Sequence, residues 1–257
     1  MRIQYLSTST QKKVVGIAAL DNAESRIDDK WGEGAKAPIL VGPSQSEAKG
    51  KSVSASKLVE LGAGNAKLMW PKHELDGPAS SFGKRFWDFL STNAPLEIGA
   101  LKTVGVRSIQ YDDRYLLQPY TLSLLSQVIL NTPKAKEASI RIQTAYDDRL
   151  NMDARFLHQS FKSDATRQQV LEKIFPTANI SIRPKGDLPH FRKLQIELLD
   201  RRQIEIFLDQ GMGAWRVNGS KRHDFGAPVK AQADMLVNCK FSVNSEGPAV
   251  PVALTTK

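Results

Sequence analysis

Two short stretches of strict alternation constrain this chain more than anything else in it. Over Lys193–Leu198 the apolar residues Leu194, Ile196 and Leu198 recur at every second position, and over Gln203–Asp209 Ile204, Ile206 and Leu208 do the same. A strand turns successive side chains to opposite faces, so each stretch reads as a strand with one apolar face. Asp200, Arg201, Arg202 and Gln203 supply the polar turn of a hairpin between them. A third strand, Ala214–Val217, is expected after the Gly211-Met212-Gly213 corner. His190 and Arg192 stand where the chain enters the first strand, which puts both at a pocket on the rim of the sheet.

Upstream, the hydrophobic period switches repeatedly between two and 3.6. Val104–Gln110 reads as a strand, Leu116–Asn131 as an apolar helix with Pro119 near its start, and Ala138–Thr144 as an alternating strand. Residues 151–175 read as a long amphipathic helix, with Phe156, Phe161, Val170, Leu171, Ile174 and Phe175 inward and Lys162, Arg167 and Lys173 on its charged side. Asn179–Arg183 is a further strand. This alternation predicts an α/β fold, a mixed sheet flanked by helices.

The predicted domain spans 96–257, preceded by an N-terminal region over 1–95 that serves for docking or forms an extra domain. In that region Ile3–Ser7 and Val14–Leu20 are apolar stretches, and Lys57–Gly62 reads as a short helix. Gly62-Ala63-Gly64-Asn65 lacks the Gly-Lys-Ser/Thr ending of a phosphate loop and reads as a turn. Ser81–Thr92 reads as a helix whose stripe of Phe82, Phe86 and Phe89 belongs to the core. Past the hairpin, Lys240–Val243 and Val250–Leu254 are expected as edge strands or a wrapping tail.

Charge points to a polyanion. The 257 residues carry a net charge of +9, and residues 101–225 concentrate it, with 20 basic against 14 acidic residues. Basic surfaces attract phosphate chains by releasing counterions, although a merely solvated basic face is the plainer reading. No run reaches the ~18–20 apolar residues of a membrane helix, and the N-terminus has no apolar leader. Cys239 is the single cysteine, which fits a reducing cytoplasm and excludes an internal disulfide and a cysteine-rich zinc site. No metal or cofactor is expected. Histidine pairs at ligand spacing are lacking, and the adjacent acids Asp112-Asp113 and Asp147-Asp148 diverge if extended.

The motif His190-x-Arg192, four residues, then Glu197 resembles the phospholipase D signature His-x-Lys, four residues, Asp. That chemistry needs an imidazole to attack phosphorus, a cation to hold the growing charge, and a second histidine to protonate the leaving oxygen. Here arginine replaces lysine and glutamate replaces aspartate. No second copy is visible, since His73, His158 and His223 sit in other contexts. A wider similarity runs through DDRYLLQPYTLSLLSQVI (112–129), SIRIQT, LPHFRKLQIEL and IEIFLDQGMGAWRV. These segments resemble the phospholipase D-like domain at the C-terminus of MIT-domain proteins and similar modules beside DEAD/DEAH-type helicases in bacterial phage-defence loci.

The resemblance implies a module that keeps the fold without the hydrolytic site. Asp113, Arg114 and Glu197 would border a remnant pocket near His190 and Arg192. By their places at strand ends and turns rather than by the resemblance, Arg183, Lys185, Arg192, Lys193, Arg201, Arg202, Arg216, Lys221 and Arg222 would form a track for nucleic acid, expected to be DNA, with Phe191 or Trp215 stacking on an unpaired base; the alternative is charges scattered around the sheet. The expected role is non-catalytic binding of nucleic acid or of a helicase or other subunit in an antiviral defence complex. Two alternatives stand beside it: a metal-independent nuclease pairing two His190 rings in a homodimer, and an assembly scaffold without nucleic-acid affinity.

Overall fold

The computed structural model describes residues 2–6, 14–19, 67–71, 73–147, 161–189, 192–208, 211–218, 228–239, 241–245 and 252–256. The expected helix at 57–62, the glycine turn at 62–65 and the first half of the 151–175 helix lie outside the described residues, as do His190, Phe191, Lys221 and Arg222. The chain separates into two compact units, Met1–Leu68 and Met69–Lys257, so the aromatic helix expected in the N-terminal region belongs to the second. In the first unit β1 (Arg2–Leu6) pairs antiparallel with β2 (Val14–Ala19), Arg2 opposite Ala19.

The second unit is an α/β domain around a mixed six-stranded sheet. In chain order its strands are β5 (Val106–Asp113), β6 (Ser139–Ala145), β7 (Asn179–Arg183), β8 (Arg192–Leu198), β9 (Gln203–Leu208) and β12 (Val252–Thr256). Their spatial order is β12-β9-β8-β5-β6-β7, and the short β3 (Lys67–Met69) continues the sheet beyond β12. A separate three-stranded sheet joins β10 (Trp215–Asn218), β11 (Ser242–Ser245) and β4 (Gly77–Pro78) in that order. The parallel strands β5, β6 and β7 are linked by α3 (Pro119–Leu130) and a connection that includes α4 (Asp164–Ile174). β8, β9 and β12 add antiparallel strands on the other side of β5.

Register explains the two faces. Leu254, Ile206, Leu194, Tyr111, Ile142 and Ile180 lie side by side across all six strands. The neighbouring row, Thr255, Glu205, Gln195, Gln110, Arg141 and Asn179, is polar and points the other way. The apolar face joins one core with the described helices, which pack on each other: α1 (Phe82–Asn93) on α2 (Pro95–Val104) and α3, and α5 (Val229–Val237) on α3 and α4. Burial of these large side chains is the main stabilising term of the unit.

Local signals set the helix ends. Pro95 and Pro119 occupy first-turn positions, where a missing N–H costs nothing. The Ser163 hydroxyl caps α4 by accepting from the Thr166 N–H at 3.1 Å. The Phe82–Phe86–Phe89 stripe is buried, and the Phe82 ring meets Trp215 edge-on at 4.9 Å. No described helix is long and apolar enough to cross a membrane.

Candidate functional site

Three chain segments converge at the carboxyl rim of β5. β5 ends in Asp113, and antiparallel β8 begins beside it with Arg192. β9 ends at Leu208 opposite Arg192, and a 3-10 turn over Gly211–Ala214 follows. Open α/β sheets present ligand sites at the carboxyl ends of their strands, so this rim is the place to look for chemistry.

Asp113 is 3% exposed and well bonded. The Tyr111 hydroxyl donates to its Oδ2 at 2.8 Å, and the Tyr115 N–H donates to Oδ1 at 2.7 Å. Arg192 Nε lies 3.7 Å from Oδ1. Burial pushes the Asp113 carboxyl above its ordinary value, against the opposing pull of the Tyr115 N–H, Arg192 and the Tyr111 hydroxyl. Burial and the negative Asp113 push the Tyr111 phenol well up.

Gly211 closes this cluster. Its φ of +56° suits glycine, and a Cβ there would stand 2.6 Å from Asp113 Oδ2 and 3.1 Å from Arg192 Cγ. The backbone at Gly211 thus packs directly against the carboxylate and the arginine stem. On the outside, the Tyr115 ring carries the Arg192 guanidinium at 4.5 Å and the Lys185 ammonium at 5.0 Å from its centroid. Arg114 donates through Nε at 2.7 Å, and through Nη2, to the Leu188 carbonyl, tying down the segment that leads to residue 190.

The other expected residues divide between places. Arg183 and Lys185 are exposed at the same carboxyl rim, at the end of β7 and just beyond it. Arg216 is exposed at the start of β10 and donates to the Gly213 carbonyl at 3.3 Å. Lys193, one residue from Arg192, points to the opposite face, where its ammonium meets Glu205 at 2.9 Å. Arg201 and Arg202 occupy the β8–β9 turn at the far rim, and Arg202 pairs with Asp200 at 2.7 Å. Glu197 is there too, 3.3 Å from the Ser108 hydroxyl and 3.9 Å from Arg201. Five residues of strand put it ~17 Å from Arg192, so it does not border the Asp113 pocket. Trp215 is 3% exposed and unable to stack on a ligand.

Arg167 was expected on the charged side of its helix, but it is 1% exposed. Its guanidinium donates to the Leu116 carbonyl at 3.0 Å, the Ala145 carbonyl at 2.5 Å and Asp164 Oδ1 at 2.7 Å. It thereby laces the loops after β5 and β6 to α4. A buried arginine is a registry device: planar, always charged and able to serve several oxygens at once. Its spacing from Val170, Leu171 and Ile174 on one helical face was the available sequence signal.

Among the described residues, no three or more His, Cys, Asp or Glu are grouped to hold a metal ion. No curated protein matches the chain at a significant level. Residues 65–257 match the family model described as the DEAD/DEAH box helicase YjiV, C-terminal domain, a span that contains both sheets of the second unit and all five helices described above. With three-quarters of its length in that match, the chain belongs to the family of YjiV helicase C-terminal domains.

Proposed function

We propose that this domain is a non-catalytic, phospholipase D-like module that binds nucleic acid beside a helicase, in the setting of bacterial antiviral defence. The observation that carries the reading is the closed Asp113–Arg192 cluster. The arginine that the motif would offer to a phosphodiester is turned onto Asp113 and Tyr115, and Gly211 packs close against the carboxylate and the arginine stem. A phosphate does not fit between partners already in contact. Arg183 and Lys185, exposed on the same rim, are supplied instead for a phosphate backbone passing outside it. The helicase named by the family acts on nucleic acid, which gives such a surface a partner.

Fluorescence anisotropy with labelled DNA and RNA across a salt series tests this. Binding should weaken steeply between ~50 mM and ~200 mM salt as counterion release is lost. Replacing Arg183 and Lys185 together by alanine should lower the slope of log K against log salt by about 1.4 to 1.8, the share of two phosphate contacts. Binding that ignores salt, or is absent at low salt, would remove the nucleic-acid reading. Cleavage in EDTA that vanishes in His190→Ala would replace it with a nuclease.

A further inference from the structure

The large sheet ends on one side at β7, which lacks the devices that usually blunt an edge. Its register against β6 runs from Asn179 to Arg183 without a bulge, no proline interrupts it, and its inward side chains are Ile180 and Ile182 rather than charges. Along a strand, successive residues turn their N–H and C=O groups to opposite sides. The Arg183 carbonyl accepts from the Tyr146 N–H at 3.0 Å, so Arg183, Ser181 and Asn179 address β6. Ile180 and Ile182 therefore direct their backbone groups away from the sheet, where no described residue meets them. Their side chains lie half-buried on the inner face, in register with Ile142 and Thr144.

The groups still free decide which strand fits. Pairing β7 antiparallel with a second β7 about Ser181 sets Ile180 of each copy opposite Ile182 of the other. Such opposite residues exchange both their bonds, so every outward N–H finds an outward C=O. A register centred on Ile182 would set Ile180 against Pro184, which has no N–H. One centred on Ile180 would set Ile182 against Ala178, whose N–H already donates to the Phe175 carbonyl at 3.0 Å. A slip of one residue would turn outward groups onto groups spent on β6. Directly opposite side chains share a face, so the isoleucines of both copies form one apolar seam on the inner side. On the outer side Arg183, which rests on the Ser181 hydroxyl at 2.8 Å, stands opposite Asn179 of the second copy, an amide and not a like charge.

We infer that two copies of this chain associate through β7, antiparallel about Ser181, and join their large sheets edge to edge. The occupant of the edge is a second copy because the strand is complementary to itself in backbone bonds, in apolar side chains and in charge. The inference does not rest on the nucleic-acid reading.

Ser181→Cys in the full chain tests it. At the two-fold axis Ser181 faces its own copy in a non-hydrogen-bonded pair, with Cα atoms ~4.5 Å apart, inside the roughly 4.4–6.8 Å span of a disulfide. Cys239, the single native cysteine, is 4% exposed. Mild oxidation should therefore link the variant into a dimer on a non-reducing gel and leave the parent unlinked. Asn179→Cys, on the same face, would lie ~14 Å from its copy and should stay largely unlinked. Light scattering of the unoxidised parent should give a mass rising toward two chains with concentration, and Ile180→Lys, which puts a charge into the seam, should hold it at one. The cysteine pair decides the matter whatever Ile180→Lys does to folding. Equal linking of the two cysteine variants would mark random collision and overturn the inference. So would no linking of Ser181→Cys, or a parent that weighs one chain at every concentration.

Discussion

Asp113 collects two hydrogen bonds and a nearby guanidinium, yet burial dominates its titration and raises its pKa above the ordinary 3.8. The native state therefore holds this proton more tightly than the unfolded chain does. Its contribution to stability is fully present below about pH 3.8 and is lost as pH rises through the raised folded value. Asp113→Asn removes that titration and keeps the shape. The urea midpoint of the variant minus that of the parent should therefore grow as pH rises above about 3.8 and level off once pH has passed the raised folded value. A difference that shrinks over the same range would mean that Arg192 holds the carboxylate charged and the shift has the opposite sign. At this scale the sequence was partly legible. The resemblance placed Asp113 beside Arg192, and the two do meet. Lys193 was grouped with Arg192 because neighbours in sequence look like one patch, although alternation sends them to opposite faces. Arg167 was read by its charge, whereas its spacing along the helix puts it inside.

The helix pair α1–α3 shows what an element demands of a single position. The backbones come so close that a Cβ on Gly83 would lie 2.0 Å from the Gln127 carbonyl oxygen and 2.9 Å from Asn131 Nδ2. Backbone cannot yield as a flexible side chain does. Trp87, one turn further along α1, donates to the Val128 carbonyl at 2.9 Å and holds the crossing in place. Gly83→Val should therefore cost about 1–3 kcal/mol or more by overpacking, read as a lower urea midpoint. An unchanged midpoint would show that the helices slide apart freely. Strands were the easier elements to read. β7 matches its expected range, and β8 and β9 differ by one residue at an end, because a half-buried strand writes its period into the chain. Helices α2 and α5 were missed. Pro95, just past α1, looks like a stop signal, but proline equally opens a helix, and here it opens α2. In α5 the buried face is Gln232, Ala233 and Leu236, too small and polar to show as a hydrophobic stripe. A buried bond from the Ser123 hydroxyl to the Leu236 carbonyl at 2.7 Å and a part-buried one from Gln127 Nε2 to the Val237 carbonyl at 2.8 Å dock it instead. Side-chain partners on a distant helix leave no periodic trace in the segment they hold.

Over the whole domain, topology decides which distant residues become neighbours, and sequence order alone does not supply it. The expected basic track was drawn through strand ends and turns without regard to which end of the sheet each one occupied. Because β8 runs antiparallel to β5, its start joins Arg183 and Lys185 at one rim, while its end carries Arg201 and Arg202 to the other. The C-terminal strand takes the edge of the six-stranded sheet, one of its two expected places, and it is built into the core there. β12 pairs along β9 from Val252 opposite Leu208 to Thr256 opposite Ile204, and Val252, Ala253 and Leu254 are 2%, 0% and 1% exposed. Burying a valine or leucine stabilises by about 1.5–3 kcal/mol, and the backbone ladder adds to that. A domain holds only about 5–15 kcal/mol in all. A chain ending at residue 251 should therefore lose most of its stability and bare the N–H and C=O groups of β9 beside the buried Ile206 and Phe207. Such an edge recruits other chains. Size-exclusion chromatography should find the truncated chain aggregated where the parent elutes as a defined species, and its cooperative urea transition should move to much lower denaturant or vanish. A truncated chain that elutes as the parent does, with its midpoint preserved, would mean that β9 closes the sheet unaided and that β12 is an accessory.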